Sequence, residues 1–352
     1  MSEFSMIQKQ HVESLYSQKV IRACADPHPV EPFQCEVCGA NVAQPVFLLP
    51  GTTYRIVHCT ECGLGTLYPP PTLSEISAFY PSPYYGSGGK KFSGLVEAVV
   101  RMVGARLSRF LVKQIPSQGR VLDVGCGRGV TLKTLANAGL EAHGFEVNRD
   151  AIKGLDSRIQ AKIAPSLVEA NYDAEYFDAI IIWHVLEHVS EPRKTLAEAC
   201  RILRPGGVLV VAVPNASSWQ AKITGPAWFH LDPPRHLFHF PLPALKQLLT
   251  SVGFQCQRTH HFSLRQNPFG WIQSILNFIP WLPRNGLYSL LHRHGERSGF
   301  AMPFSRGMRI QMYALFVLLA PPALMLSVAA ALFRRGATVH VVCRREPNAD
   351  EE

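Results

Sequence analysis

Charge, basic runs and an export signal are what this sequence of 352 residues has little of or lacks. Charged residues make up only 17% of it and apolar ones 47%, which describes a globular chain poor in charge rather than a disordered one. Its net charge of +9 suits acidic partners such as nucleic acid, anionic lipid or a phosphorylated substrate, although many basic enzymes bind none of these. No five basic residues run together, which argues against a nucleic-acid-binding tail. The start, MSEFSMIQKQHVESLYSQK, has neither a basic opening nor an apolar stretch. A cytoplasmic location is therefore expected, where disulfides are rare. The nine cysteines are then metal ligands or buried thiols. The length allows two domains, or one with large insertions.

Four of the cysteines make one pattern twice, CEVCG (Cys35, Cys38) and CTECG (Cys59, Cys62), separated as C-x2-C-x20-C-x2-C. That is the spacing of a four-cysteine zinc site. Each glycine allows the positive φ that turns backbone amides toward sulfur. The apolar run VFLLPGTTYRIVHC can supply the hairpin of a zinc ribbon. Four thiolates leave no open position, so the expected zinc is structural, not catalytic. A redox CxxC would open a helix in a βαβ unit, and nothing around these cysteines reads that way. Cys24, Cys126, Cys200, Cys256 and Cys343 are scattered and read as ordinary thiols. A connector follows, YPPPTLSEISAFYPSPYYG, with one short helix over Leu73–Phe79 and a flexible GSGGKK joint.

The stretch RVLDVGCGRG (residues 120–129), followed by VTLKTLANAGL, reads as strand, glycine loop and helix, the opening of an α/β nucleotide-type site. The dinucleotide fingerprint fails, because Val130 stands where its last glycine belongs. What remains is D-x-G-x-G-x-G, on Asp123, Gly125, Gly127 and Gly129. A carboxylate here would repel a pyrophosphate but accept from a cationic ligand. S-adenosylmethionine (SAM) carries an ammonium and a sulfonium and no phosphate. The next strand, EAHGFEVN, ends near Glu146, where an acidic residue can accept both ribose hydroxyls. A buried strand Ala179–Trp183, a helix from about Ser190 and the apolar strand of RILRPGGVLVVAVPN continue the alternation of a doubly wound parallel sheet.

VLDVGCGRG, Glu146, FDAIIIWHVLEHV and LRPGGVLVVAVPN resemble, in order and spacing, the motifs of class I SAM-dependent methyltransferases. The resemblance covers about residues 96–262 and the last strand. It is nearest the branch with ubiquinone-pathway O-methyltransferases and small-molecule or sugar methyltransferases. The ribbon and its connector are similar to a subgroup with a zinc-binding front domain, including sugar C-methyltransferases. The resemblance implies a seven-stranded Rossmann-like sheet, with Asp123, Gly125 and Gly127 at the methionine part of SAM, Glu146 on the ribose, Leu167 near the adenine, and Gly129 and Trp183 also among the cofactor-binding residues. Trp183 and His184 would flank the methyl-transfer site.

Methyl transfer is an in-line displacement at an activated sulfonium, so alignment and exclusion of water dominate. A base near neutral pKa helps an oxygen or activated-carbon nucleophile, and histidine suits that role. His184 and His236 are the leading candidates. His188 is read as ordering its loop, and His239, between Phe238 and Phe240, as packing. The acceptor is expected to be a small molecule, a sugar or a lipid-linked compound. Two alternatives stand beside this: an RNA methyltransferase gripping RNA through the ribbon, and a binding protein that keeps a SAM fold without catalysis. Neither a basic cluster with interleaved aromatics nor an Asn-Pro-Pro-Tyr type signature is present, and the loop and Glu146 are intact.

The expected organisation is an N-terminal segment and ribbon (1–70), a linker (71–95), the SAM-binding domain (96–262), an apolar helical insertion (263–336) and the last strand with a tail (337–352). The sixth strand is expected over Phe254–Phe262 and the seventh over Ala337–Arg345, antiparallel between the fifth and sixth. The insertion holds GWIQSILNFIPWLPRNGLYSLLH and QMYALFVLLAPPALMLSVAAALFRRG, uncharged from Gln311 to Phe333. One membrane crossing there would strand the seventh β-strand on the wrong side of its sheet. Pro321 and Pro322 are expected to divide the segment into two pieces too short to span. A hairpin dipping into one leaflet or a lid over the substrate remain. Trp271, Trp281, Arg309, Arg334 and Arg335 suit peripheral membrane contact, so the protein could work at the inner face of the cell membrane.

Overall fold

A computed structural model describes residues 22–24, 28–80, 102, 105–291 and 304–347. Two sheets organise them. The first joins β1 (Arg22–Ala23), β2 (Ala43–Leu48), β3 (Arg55–Cys59) and β4 (Gly65–Tyr68) as antiparallel neighbours. The run between the two knuckles forms the β2–β3 hairpin, pairing Ala43 with Cys59. Helix α1 (Leu73–Ala78) follows, where Thr72 and Glu75 form a capping box that satisfies the first free amides. The GSGGKK joint lies outside the described residues.

The second sheet has seven strands. In chain order they are β5 (Arg120–Val124), β6 (Glu141–Glu146), β7 (Gln160–Ile163), β8 (Phe177–Trp183), β9 (Leu203–Pro214), β11 (Phe254–His260) and β12 (Thr338–Arg345). Across the sheet they run β11-β12-β9-β8-β5-β6-β7. β5 to β9 pair in parallel, and β12 lies antiparallel between β9 and β11, as expected. The order reverses beside β5, where α/β folds place their ligands. Central strands such as Ala179–Ile182 and Leu209–Val213 are fully buried, as continuous apolar runs covered on both faces must be. Helices α2 (Val130–Asn137), α3 (Pro192–Ile202), α4 (Trp219–Thr224) and α5 (Leu242–Ser251) complete this layer.

The two sheets are not separate bodies. A two-residue strand, β10 (Phe238–His239), leaves the region between β9 and β11 and pairs with β4 of the ribbon. One hydrophobic core runs from Cys35, Ile56 and Leu67 through Phe240 to Phe177 and Val211. Arg193, near the start of α3, donates to the carbonyls of Glu36 and Val37 in the first knuckle, at 3.0 and 2.6 Å.

The insertion contains α6 (Asn267–Leu276), α7 (Gly286–Leu291) and α8 (Arg306–Leu332). Here an expectation fails, since α8 is one continuous helix of 27 residues with Pro321 and Pro322 inside it. The prolines therefore do not cut the segment into two pieces, and no hairpin dips back. Both prolines lie on the exposed face. There the Val317 and Leu318 carbonyls that lose their helical amides can meet solvent instead of the core. Met312, Ala323, Ser327 and Ala330 line the buried side. Met312 and Ala323 join Trp271, Ile272 and Leu287 in a core of the insertion's own. Trp271 is thus buried and is not an interfacial anchor; Trp281 is 64% exposed. At the far end Gly336 leads into β12, and a Cβ there would lie 1.7 Å from the His261 carbonyl oxygen. With 27 residues and a mean hydropathy of 2.3, α8 is long and apolar enough to cross a membrane, only 17% of its apolar window is buried, and it leads directly into β12 of the sheet.

Candidate active site

The SAM side is built by β5, its glycine loop and β6. Gly125, Gly127 and Gly129 have φ of 70°, 51° and 66°, which a side chain rarely adopts. Gly125 is also pressed against Val185, where a Cβ would come within 2.4 Å of a methyl. The position a Cβ of Gly127 would take meets nothing within 4 Å, so the loop leaves an open cradle. Glu146 accepts from the Gly127 amide at 3.0 Å and from the Val147 and Asn148 amides at 2.9 and 3.3 Å. Its carboxylate is thereby held at the end of β6, with lone pairs left for hydroxyls. Asp123 is buried, and burial, with Glu146 adding to it, pushes its carboxyl up to about 7. A ligand ammonium would restore its charge. The donor set fits SAM: two carboxylates and a bare glycine turn. Leu167 is buried in the main core, away from the acceptor cavity's lining.

Beyond the loop opens a cavity of about 670 Å³. Gly125, Trp183 and His184 belong to its SAM side, while Phe269 and Ile272 of α6 and Phe316 and Ala320 of α8 line it from the insertion. Trp183 leans on His340 of β12, ring centres 4.5 Å apart. Both predicted histidines reach this cavity, by different routes. His184 follows β8 directly, with φ 55°, and its Nδ1 lies 3.1 Å from Glu187 Oε1. Burial, reinforced by Arg265, holds its imidazole down to about 3. His236 arrives from the β9–β11 excursion, and burial likewise holds it well below the usual range.

A backbone clasp joins these routes. The amides of Leu237 and Phe238 donate to the Glu187 carbonyl at 2.8 and 3.2 Å, and the Leu67 amide of β4 donates to the Leu237 carbonyl at 2.8 Å. The ribbon, the β8 loop and the His236 segment are thus stitched in series. Sequence reasoning passed over Glu187 and gave His188 only an ordering role. His188 does contact Tyr80 of the connector, Nδ1 to hydroxyl 2.7 Å, but it also lines the cavity beside Glu187 and His236. Glu187 is 1% exposed, and burial pushes its carboxyl up to about 7, partly opposed by His188. Their signal in the sequence was weak, because HVLEHV and RHLFHF stand about fifty residues apart.

The four cysteine sulfurs lie within 4.8 Å of one another, with Cys35–Cys62 and Cys38–Cys59 at 3.5 Å. The sulfur edges of a tetrahedral zinc site are about 3.8 Å, given Zn–S near 2.3 Å, so the cluster fits one ion. Gly39 and Gly63, at φ 75° and 72°, return their amides to the Cys35 and Cys59 carbonyls at 2.9 and 3.0 Å.

Comparison with known proteins agrees with this geometry. Residues 97–259 match the family described as a methyltransferase domain. A ubiquinone biosynthesis O-methyltransferase of Maricaulis maris is 31% identical over 138 residues, covering 35% of this chain and 54% of that protein. One from Xylella fastidiosa is 36% identical over 115 residues, covering 30% and 46%. The chain thus spans about half the length of the curated relatives it matches. A SAM-dependent methyltransferase structure from Archaeoglobus fulgidus is 19% identical, covering 69% of this chain and 93% of that one at a TM-score of 0.44. Residues 97–259 thus carry a methyltransferase domain, and the glycine loop, the paired carboxylates and the β11-β12-β9-β8-β5-β6-β7 sheet order fit a SAM-dependent one.

Proposed function

We propose that the protein transfers the methyl group of SAM to a hydroxyl oxygen of an apolar acceptor collected at a lipid surface. The observation that carries this reading is the double use of α8. Phe316 and Ala320 face the cavity, while Val317, Leu318 and Met325 are 69%, 68% and 72% exposed on the same helix. Arg306 and Arg309 flank this surface at one end and Arg334 and Arg335 at the other, suited to anionic headgroups. An acceptor leaving the lipid would pass from one face of α8 to the other. The relatives named for ubiquinone biosynthesis O-methylation support oxygen as the acceptor atom.

SAM supplies an electrophilic methyl when bound. Asp123 and Glu146 would hold its charged and hydroxylated ends, beside the glycine turn, with Trp183 and His184 lining the cavity next to Gly125. The apolar cover from α6 and α8 keeps water out, so the acceptor oxygen meets the methyl without competition. His184, whose Nδ1 faces Glu187 while its Nε2 has no hydrogen-bond partner, is the group placed to take the hydroxyl proton, and Glu187, His188 and His236 line the same corner of the cavity. The four thiolates hold a structural zinc, and contact with the membrane is peripheral, from the cytoplasmic side where SAM is available.

The test combines two measurements. Labelled SAM and a set of acceptors should give methyl transfer to apolar phenols and little to soluble sugars. Wild type should float with anionic liposomes, while the double variant Val317→Lys, Met325→Lys stays behind with its SAM affinity intact. Transfer confined to polar sugars, or flotation equal for the two proteins, refutes the lipid-surface reading.

A further inference from the structure

Glu187, His188 and His236 form, we infer, a second cation site, separate from the four cysteines and open to the acceptor cavity. One ligand-capable atom from each lies within 4.8 Å of the other two, and all three residues line the cavity.

The hydrogen bonds fix what these atoms are. His236 Nδ1 lies 2.7 Å from the His230 carbonyl oxygen. A carbonyl only accepts, so Nδ1 carries the proton and Nε2 presents a lone pair. His188 Nδ1 lies 3.0 Å from the Arg235 carbonyl oxygen, and the same argument gives it the same tautomer. The Tyr80 hydroxyl, 2.7 Å from that nitrogen, then receives a share of the proton and donates to the Arg235 carbonyl at 3.4 Å. His184 Nδ1 donates to Glu187 Oε1, which leaves Glu187 Oε2 buried with no hydrogen-bond partner. One ring nitrogen each of His188 and His236 and one carboxylate oxygen of Glu187 thus share one corner of the cavity. Backbone carbonyls orienting Nδ1–H in this way are what protein metal sites use to aim histidine ligands.

Two histidines and one carboxylate with free positions make a site for a divalent ion such as zinc, manganese or ferrous iron. Asp232 stands near as a further oxygen donor, its Oδ2 3.9 Å from His236 Nε2 and its Oδ1 held by Arg235 at 2.7 Å. The ion's open positions face the cavity, so they would take the hydroxyl oxygen of the acceptor. That use rests on the methyl-transfer reading; the site itself rests on the ligand geometry alone.

Manganese is the discriminating probe, because it favours oxygen ligands such as the Glu187 carboxylate and competes poorly for thiolates. The purified 352-residue chain, with its ribbon zinc-loaded, should bind one Mn²⁺ per chain without any acceptor or turnover. Its pulsed paramagnetic resonance spectrum should show coupling to imidazole nitrogens. Glu187→Gln and His236→Gln should each weaken Mn²⁺ at least about tenfold, with circular dichroism and SAM affinity unchanged. Loss of methyl transfer with Mn²⁺ binding retained would count against the function and leave the site standing. A wild-type protein that binds no Mn²⁺, or whose bound ion shows no nitrogen coupling, overturns the site whatever the variants do. So do folded variants that bind as wild type does.

Discussion

The four cysteines and the Glu187–His188–His236 trio are both tight sets of metal-type ligands, yet they differ in almost every other respect. The cysteines come from two copies of one short turn on adjacent strands, and all four positions of the tetrahedron are filled. The trio comes from two segments about fifty residues apart, held together by the amides of Leu237 and Phe238 on the Glu187 carbonyl. A closed set can only hold structure, while an open set beside a cavity can meet a substrate. The difference also separates what each costs to lose. Losing an ion from the closed set should damage the fold; losing one from the open set should not.

The largest expected effect therefore belongs to the ribbon. Cys59→Ser should release zinc and cost several kcal/mol, a part of the roughly 10–16 kcal/mol that structural zinc contributes in small fingers. Calorimetry beside metal analysis reads it. Because β4 holds β10 and the Leu237 carbonyl, the loss should reach the acceptor cavity too. A variant that keeps its melting temperature after losing zinc would mean that the thiolate cluster holds nothing in place.

A smaller effect is expected at the joint between ribbon and domain. Arg193→Ala removes two charged hydrogen bonds to the carbonyls of Glu36 and Val37 and should cost about 1.5–3 kcal/mol. Unfolding should remain one transition, since a single core spans both sheets. An early separate melting of the ribbon would instead make it an independent appendage, and the comparison would lose its physical link to the cavity.

Much of this was readable before the fold was seen, for reasons that are local. D-x-G-x-G-x-G demands three positive-φ turns at one strand end, and paired CxxCG turns demand one metal point, so spacing alone constrains both. The place of β12 followed from resemblance and held. The continuity of α8 was not readable: two prolines argue for a break, but on an exposed face their lost amides strand only carbonyls that solvent can reach. The trio was hidden for the opposite reason. Nothing in HVLEHV says that RHLFHF will fold back on its carbonyl, because that contact depends on β4 capturing β10 from the ribbon.

The smallest effect tests that last dependence. Tyr80 lies past α1 on the ribbon's side, and its hydroxyl touches both His188 Nδ1 and the Arg235 carbonyl. Tyr80→Phe keeps the ring, which packs edge-on against His188 with centroids 5.9 Å apart, and removes only the hydroxyl. Stability should fall by about 0.5–1.5 kcal/mol, and SAM affinity should not move, because the glycine loop is untouched. A double-mutant cycle with His188→Gln isolates the pair, and a coupling of at least about 0.5 kcal/mol is expected for groups in contact. Coupling near zero would mean that the hydroxyl is held by Arg235 alone. The His188 ring would then be oriented without help from the connector, and the open cluster would owe its geometry to the β8 loop and the His236 segment.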